Sequence, residues 1–90
     1  MGEGGAIERA IEILNKIMED PAVPRNIKNT CREAVARLNK SGEAEHIRAG
    51  ATTCILDDLN QDPNLPFYTR AQIWEVTSIL ETVKTPKIKY

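Results

Sequence analysis

The stretch Asp20-Pro21-Ala22-Val23-Pro24 decides the fold, because it returns 42 positions later as Asp62-Pro63-Asn64-Leu65-Pro66. The flanks return with it. Ile13-Leu14-Asn15-Lys16-Ile17 leads into the first copy, and a run reaching Glu33 and Leu38 follows. Ile55-Leu56-Asp57-Asp58-Leu59 leads into the second, and a run reaching Glu75 and Leu80 follows. A period of this size marks a repeated helical hairpin. Each copy reads as a device that stops one helix and starts the next. The residue before Pro21 is pushed away from the α region, so the first helix ends near Glu19 or Asp20. Pro24 fits the first turn of the second helix, where its missing N–H loses no partner. Val23 and Leu65, held between the prolines, are placed to plug the end of a core. Asp20 and Asp62 are carboxylates at matching positions. A short acidic side chain before a turn accepts turn N–H groups, so they read as turn residues and not as a catalytic pair.

Working outward, Ile7, Ala10, Ile11, Leu14, Ile17 and Met18 recur at three- and four-residue steps, which predicts a helix from about Ala6. The second helix carries Ile27, Cys31, Ala34, Val35 and Leu38 on one stripe. It ends around residues 39–42, where Gly42 suits the left-handed turn conformation. Glu43 and Glu45 then open a third helix, with negative charge at the positive end of its dipole. That helix runs to about Gln61. Asp62-Pro63 stops it, Pro66 restarts the chain, and a fourth helix spans about Phe67 to Val83 with Ile73, Val76, Leu80 and Val83 on one face. Short connections make sequential helices antiparallel. The expected fold is therefore all-α, an up-and-down four-helix bundle of two pseudo-repeated hairpins, 6–42 and 43–84. A flexible N-terminus (1–5) and a flexible basic tail (85–90) flank it. A two-repeat fragment of a solenoid is the alternative, although such arrays generally need three or more units.

Ninety residues make one domain, with 41% hydrophobic and 28% charged residues in the ordinary globular range. One Trp, one Phe and two Tyr leave the core to aliphatic side chains. A net charge of −1 supplies no overall field toward nucleic acid or an anionic membrane. No apolar run approaches the ~20 residues of a membrane span. The opening Met1-Gly2-Glu3-Gly4-Gly5 lacks the regions of a signal peptide, and Ala6 stands where a myristoylation signal needs Ser or Thr. A cytoplasmic protein is expected.

Glu19-Asp20-Pro21-Ala22-Val23-Pro24-Arg25-Asn26-Ile27, with Asp62-Pro63-Asn64-Leu65-Pro66 and Ile73-Trp74-Glu75, resembles a small archaeal protein family that is itself uncharacterised. The resemblance covers about Ile7 to Val83. It implies a compact all-helical bundle in an archaeal cytoplasm and brings no activity, ligand or catalytic residue. Cys31, Cys54 and the tail Lys87-Ile88-Lys89-Tyr90 lie outside its pattern.

Few residues invite chemistry. Two cysteines are too few and too far apart for a zinc module. Counted from the turn near residues 41 and 42, Cys31 and Cys54 stand nearly level at ~1.5 Å per residue. They would form a disulfide if both faced inward. The repeat aligns Cys54 with Glu12, a surface position, which favours free thiols, as does a reducing cytosol. His46 stands alone at the start of the third helix, without placed metal ligands or a nucleophile to activate. Asp57 and Asp58 sit at the unfavourable end of a helix dipole and read as a solvated acidic face. No metal, cofactor, small-molecule substrate or catalytic residue is expected.

Two surfaces remain. The third helix is apolar on two stripes: Ala49, Thr52, Leu56 and Leu59 align with the core of the first helix, and Ile47, Ala51, Cys54 and Ile55 form the other. A helix apolar over so much of its circumference is either central or covered by a partner. This predicts a non-enzymatic interaction or scaffold module meeting a protein partner or a second copy through Ile47, Ala51, Cys54 and Ile55. The second surface is the basic side of helix two: Arg25, Lys28, Arg32, Arg37 and Lys40. It suggests an RNA- or ribosome-associated protein as the alternative, since several phosphates must be neutralised for such binding. No aromatic stacking platform accompanies those cations.

Overall fold

In the computed structural model, residues 5–84 are described: four helices, with no strand among the described residues. They are α1 (Gly5–Glu19), α2 (Arg25–Leu38), α3 (Glu45–Leu59) and α4 (Phe67–Lys84). The expected flexible segments 1–5 and 85–90 fall outside the described residues, except for Gly5, which begins α1. The helices pack in a closed ring: α1 lies against α2 and α4, and α3 lies against α2 and α4.

The core is wholly aliphatic apart from threonine hydroxyls and one thiol. Leu14, Ile17, Ile27, Leu38, Leu56, Ile73, Val76 and Leu80 are completely buried, joined by Cys31 and Thr52. Each large aliphatic side chain so removed from water contributes about 2 kcal/mol. The stripes expected on α2 and α4 are the buried ones, with Val35 and Val83 packed at the edges. Ala49, Thr52, Leu56 and Leu59 of α3 form its inner face.

Both Asp-Pro segments make tight turns. Asp20 Oδ1 accepts the Ala22 N–H at 2.9 Å, and Asp62 Oδ1 accepts the Asn64 N–H at 2.8 Å. Val23 and Leu65 are buried, 4% and 6% exposed, beneath these turns. Pro24 sits one position earlier than expected. It is the N-cap of α2, with ψ of 153°, and its carbonyl accepts the first helical N–H bond from Lys28. The extended ψ brings the chain out of the turn and still frees that carbonyl to start the helix.

Gly42 takes φ of +86° in the α2–α3 connection, as its position implied. Glu43 does not enter α3. Ala44 is the N-cap, and Glu43 turns back to form an ion pair with Arg37. The third helix stops at Leu59, short of Gln61. Gln61 N–H and Asp62 N–H bond back three residues to Asp58 and Leu59, tightening the last turn before the bracket.

Two arginines secure the connections that follow the prolineless and proline-bound helix ends alike. Arg48 donates to the Leu38 carbonyl at 2.8 Å and to the Glu43 carbonyl at 3.0 Å. Arg70 donates to the carbonyls of Asn60 and Asp62. Each guanidinium satisfies carbonyl oxygens that a helix end and its turn leave without helical partners.

Candidate interaction surface

The residues proposed as a partner face do not share one environment. Ile47 and Cys54 are exposed on the outside of α3, Ala51 is half-buried between them, and Ile55 is half-buried against the core. Ile55 lines an open groove of about 350 Å³ between α2 and α3, with Thr30, Glu33, Asp58, Leu59 and Asp62. Spacing of three and four residues carries the outer stripe from Ile47 through Ala51 and Cys54 to Asp58.

Sequence reasoning missed the larger apolar surface, which belongs to α4. Phe67 is 87% exposed, Trp74 59% and Tyr68 49%, with Ile47 of α3 at 47%. Phe67, Ala71 and Trp74 follow helical spacing on the side opposite Thr69, Ile73, Val76 and Leu80. The signal was available: once Ile73, Val76 and Leu80 are assigned inward, residues 67, 71 and 74 must face out. Counted from the middle of the 60–66 connection, Trp74 stands about level with Ala51 and Cys54 on the neighbouring helix. The outer sides of α3 and α4 thus offer small and aliphatic residues on one ridge and aromatic residues on the next.

The proposed nucleic-acid face is divided by the fold. Arg25, Arg32 and Lys40 are exposed, and Lys28 is half-buried. Arg32 donates to Asn29 Oδ1 at 2.8 Å, which leaves its remaining N–H groups outward. Arg37 is turned toward α3, where it pairs with Glu43, each side chain 28% exposed. Its hydrogen bonds hold the Glu43 carboxyl below the ordinary glutamate range. Arg37 therefore leaves the basic set, and the exposed remainder spans the length of α2.

The two cysteines and the histidine differ in exposure. Cys31 is buried and Cys54 exposed, and both are free thiols. Burial pushes the Cys31 thiol up to about 11, making it a poor nucleophile. His46 is exposed. Among the described residues, no three His, Cys, Asp or Glu side chains gather so that they could hold a metal ion. No helix among them is long and apolar enough to cross a membrane.

The second oxygens of the two turn aspartates reach across the bundle end. Tyr68 Oη donates to Asp20 Oδ2 at 2.9 Å, and Asn26 Nδ2 donates to Asp62 Oδ2 at 3.2 Å. The Ala22 N–H and the Tyr68 hydroxyl together hold the Asp20 carboxyl below its ordinary range, and the same bond raises Tyr68. These bonds fasten the start of α4 to the α1–α2 turn and the start of α2 to the α3–α4 turn.

A four-helix body with exposed aromatic residues on the outer edge of α4 defines the class. Residues 2–83 match the model of the uncharacterised protein family UPF0147, and the chain belongs to that family. Relatives are archaeal. A UPF0147 protein of Metallosphaera sedula is 44% identical over 78 residues, covering 87% of this chain and 88% of the relative. One from Methanosarcina acetivorans is 40% identical over 77 residues, covering 86% and 79% respectively. The crystal structure of a protein of unknown function, MMP1188, superposes with a TM-score of 0.84 at 36% identity, covering 89% of this chain and 91% of that one. A UPF0147 protein from Thermoplasma acidophilum shares the fold at a TM-score of 0.81 and 24% identity, over 87% and 92% of the two chains.

Proposed function

We propose that this protein is a non-enzymatic helical interaction module that meets a protein partner through the outer sides of α3 and α4. One observation carries the reading: Phe67, Tyr68 and Trp74, the aromatic residues among those described, are all exposed on α4, while the core is filled without them. Single exposed apolar residues are ordinary, but grouped aromatics on one edge are the composition of binding hot spots. The same reading treats the two hairpins as copies of one unit. The Asp20–Tyr68 and Asp62–Asn26 hydrogen bonds support it, because a shift of 42 positions converts one pair into the other. A cytoplasmic setting suits the free thiols.

The exposed Arg25, Arg32 and Lys40 of α2 favour the alternative, an RNA- or ribosome-associated protein. Affinity capture from the native cell, with and without nuclease, separates the two. Partner recovery should survive nuclease and be lost with Ile47→Glu and Trp74→Glu, both at exposed positions, while helicity is unchanged. Recovery abolished by nuclease, or by Arg25→Glu with Arg32→Glu, would replace the first reading with the second.

A further inference from the structure

The charge around the aromatic edge names the chemistry of what it receives. Residues 45–84 contain the acids Glu45, Asp57, Asp58, Asp62, Glu75 and Glu81 against three bases, Arg48, Arg70 and Lys84. Arg48 and Arg70 are half-buried, with their N–H groups turned to backbone carbonyls as described above. Asp58 continues the outer stripe of α3 beyond Ile47, Ala51 and Cys54. Glu75 adjoins Trp74, and both are exposed.

We propose that the outer face of α3 and α4 receives a basic polypeptide segment. Its apolar side chains cover Ile47, Phe67 and Trp74, and its lysines or arginines meet Asp57, Asp58 and Glu75. An indole with carboxylates beside it suits such a cation, which gains both ion pairing and contact with the ring face. The sign of the charge selects among occupants. A second copy docked by a two-fold axis would set the same acids against one another, because an isologous interface repeats one patch on both sides. Phosphate backbones and anionic lipid surfaces carry the sign that this face repels. This inference rests on the interaction reading above and adds the partner's chemistry to it.

Trp74 is the sole tryptophan and reports directly from the site. The probe is a peptide of about 18 residues with Leu at helical spacing and Lys elsewhere, titrated into the intact protein. Trp74 emission should shift to the blue on binding. The affinity should fall at least ~tenfold between about 0.05 M and about 0.5 M salt. Asp57→Asn with Asp58→Asn and Glu75→Gln should weaken binding by a similar factor, as should Phe67→Ala. Glu8→Gln with Glu12→Gln on α1 should leave it unchanged, and an equal loss there would refute the assigned location. If the peptide with Glu in place of Lys binds as well, the basic partner is refuted while the interaction reading stands. If neither peptide moves Trp74 emission, the inference fails, and the capture experiment then decides the interaction reading separately. A stable dimer in sedimentation that Trp74→Glu dissociates would give the face to a second copy and overturn the proposal.

Discussion

Thr52 brings a hydroxyl to a fully buried position, where its Oγ1 finds no hydrogen-bond partner among the described residues. Its neighbour Thr53 is different, donating to the Ala49 carbonyl at 2.9 Å. A buried hydroxyl without a partner has lost its water and gained nothing, so Thr52→Val should stabilise the fold by about 1 kcal/mol. Urea unfolding checks this, and a lower midpoint would reveal an unseen partner for the hydroxyl. Thiol chemistry gives a second prediction at this scale. Iodoacetamide should modify Cys54 in the folded protein and reach Cys31 only on unfolding, as mass spectrometry of the labelled peptides will read. Asp20 and Tyr68 give a third. The folded-state pKa of Asp20 is depressed, so its contribution is present above the unfolded value and is lost as pH falls through the folded one. Tyr68 is raised, so its contribution is present below its unfolded value and is lost as pH climbs through the folded one. Tyr68→Phe should therefore flatten the thermal-stability profile at both its acid and alkaline ends.

Between helices, stability depends on how each end is closed. Leu65→Ala opens the space beneath the second bracket and should destabilise by about 2–3 kcal/mol, near the low end for a buried leucine because the site lies at the bundle's edge. Gly42→Ala forces a side chain into the left-handed region and should cost about 1 kcal/mol, although nothing crowds the position. Calorimetry of both variants tests these values. The elements themselves were legible from short-range rules: proline punctuation, a left-handed glycine and three- and four-residue apolar steps. Arg48 and Arg70 were not. Their partners are carbonyls ten residues back, and a backbone acceptor leaves no mark in the sequence. Arg37 was misplaced for a related reason. The α2 stripe shows that it points away from the core, but not that the following turn returns Glu43 to it.

At the scale of the whole molecule, two surfaces differ in what they display. α2 and the turn after it display Arg25, Arg32 and Lys40 together with Glu33, and α3 and α4 display Ile47, Phe67 and Trp74. Of the second stripe expected on α3, Ile47 and Cys54 face outward, while Ile55 turns toward the core. The aromatic edge of α4 follows from the same periodicity, because residues 67, 71 and 74 lie on the side opposite the buried Ile73, Val76 and Leu80. Hydrogen–deuterium exchange of the protein, alone and in the complex captured from its native cell, tests the central claim most directly. The account predicts added protection over α3 and the first turns of α4, with α2 unchanged. Protection confined to residues 25–40 would contradict it and assign the interaction to the basic side.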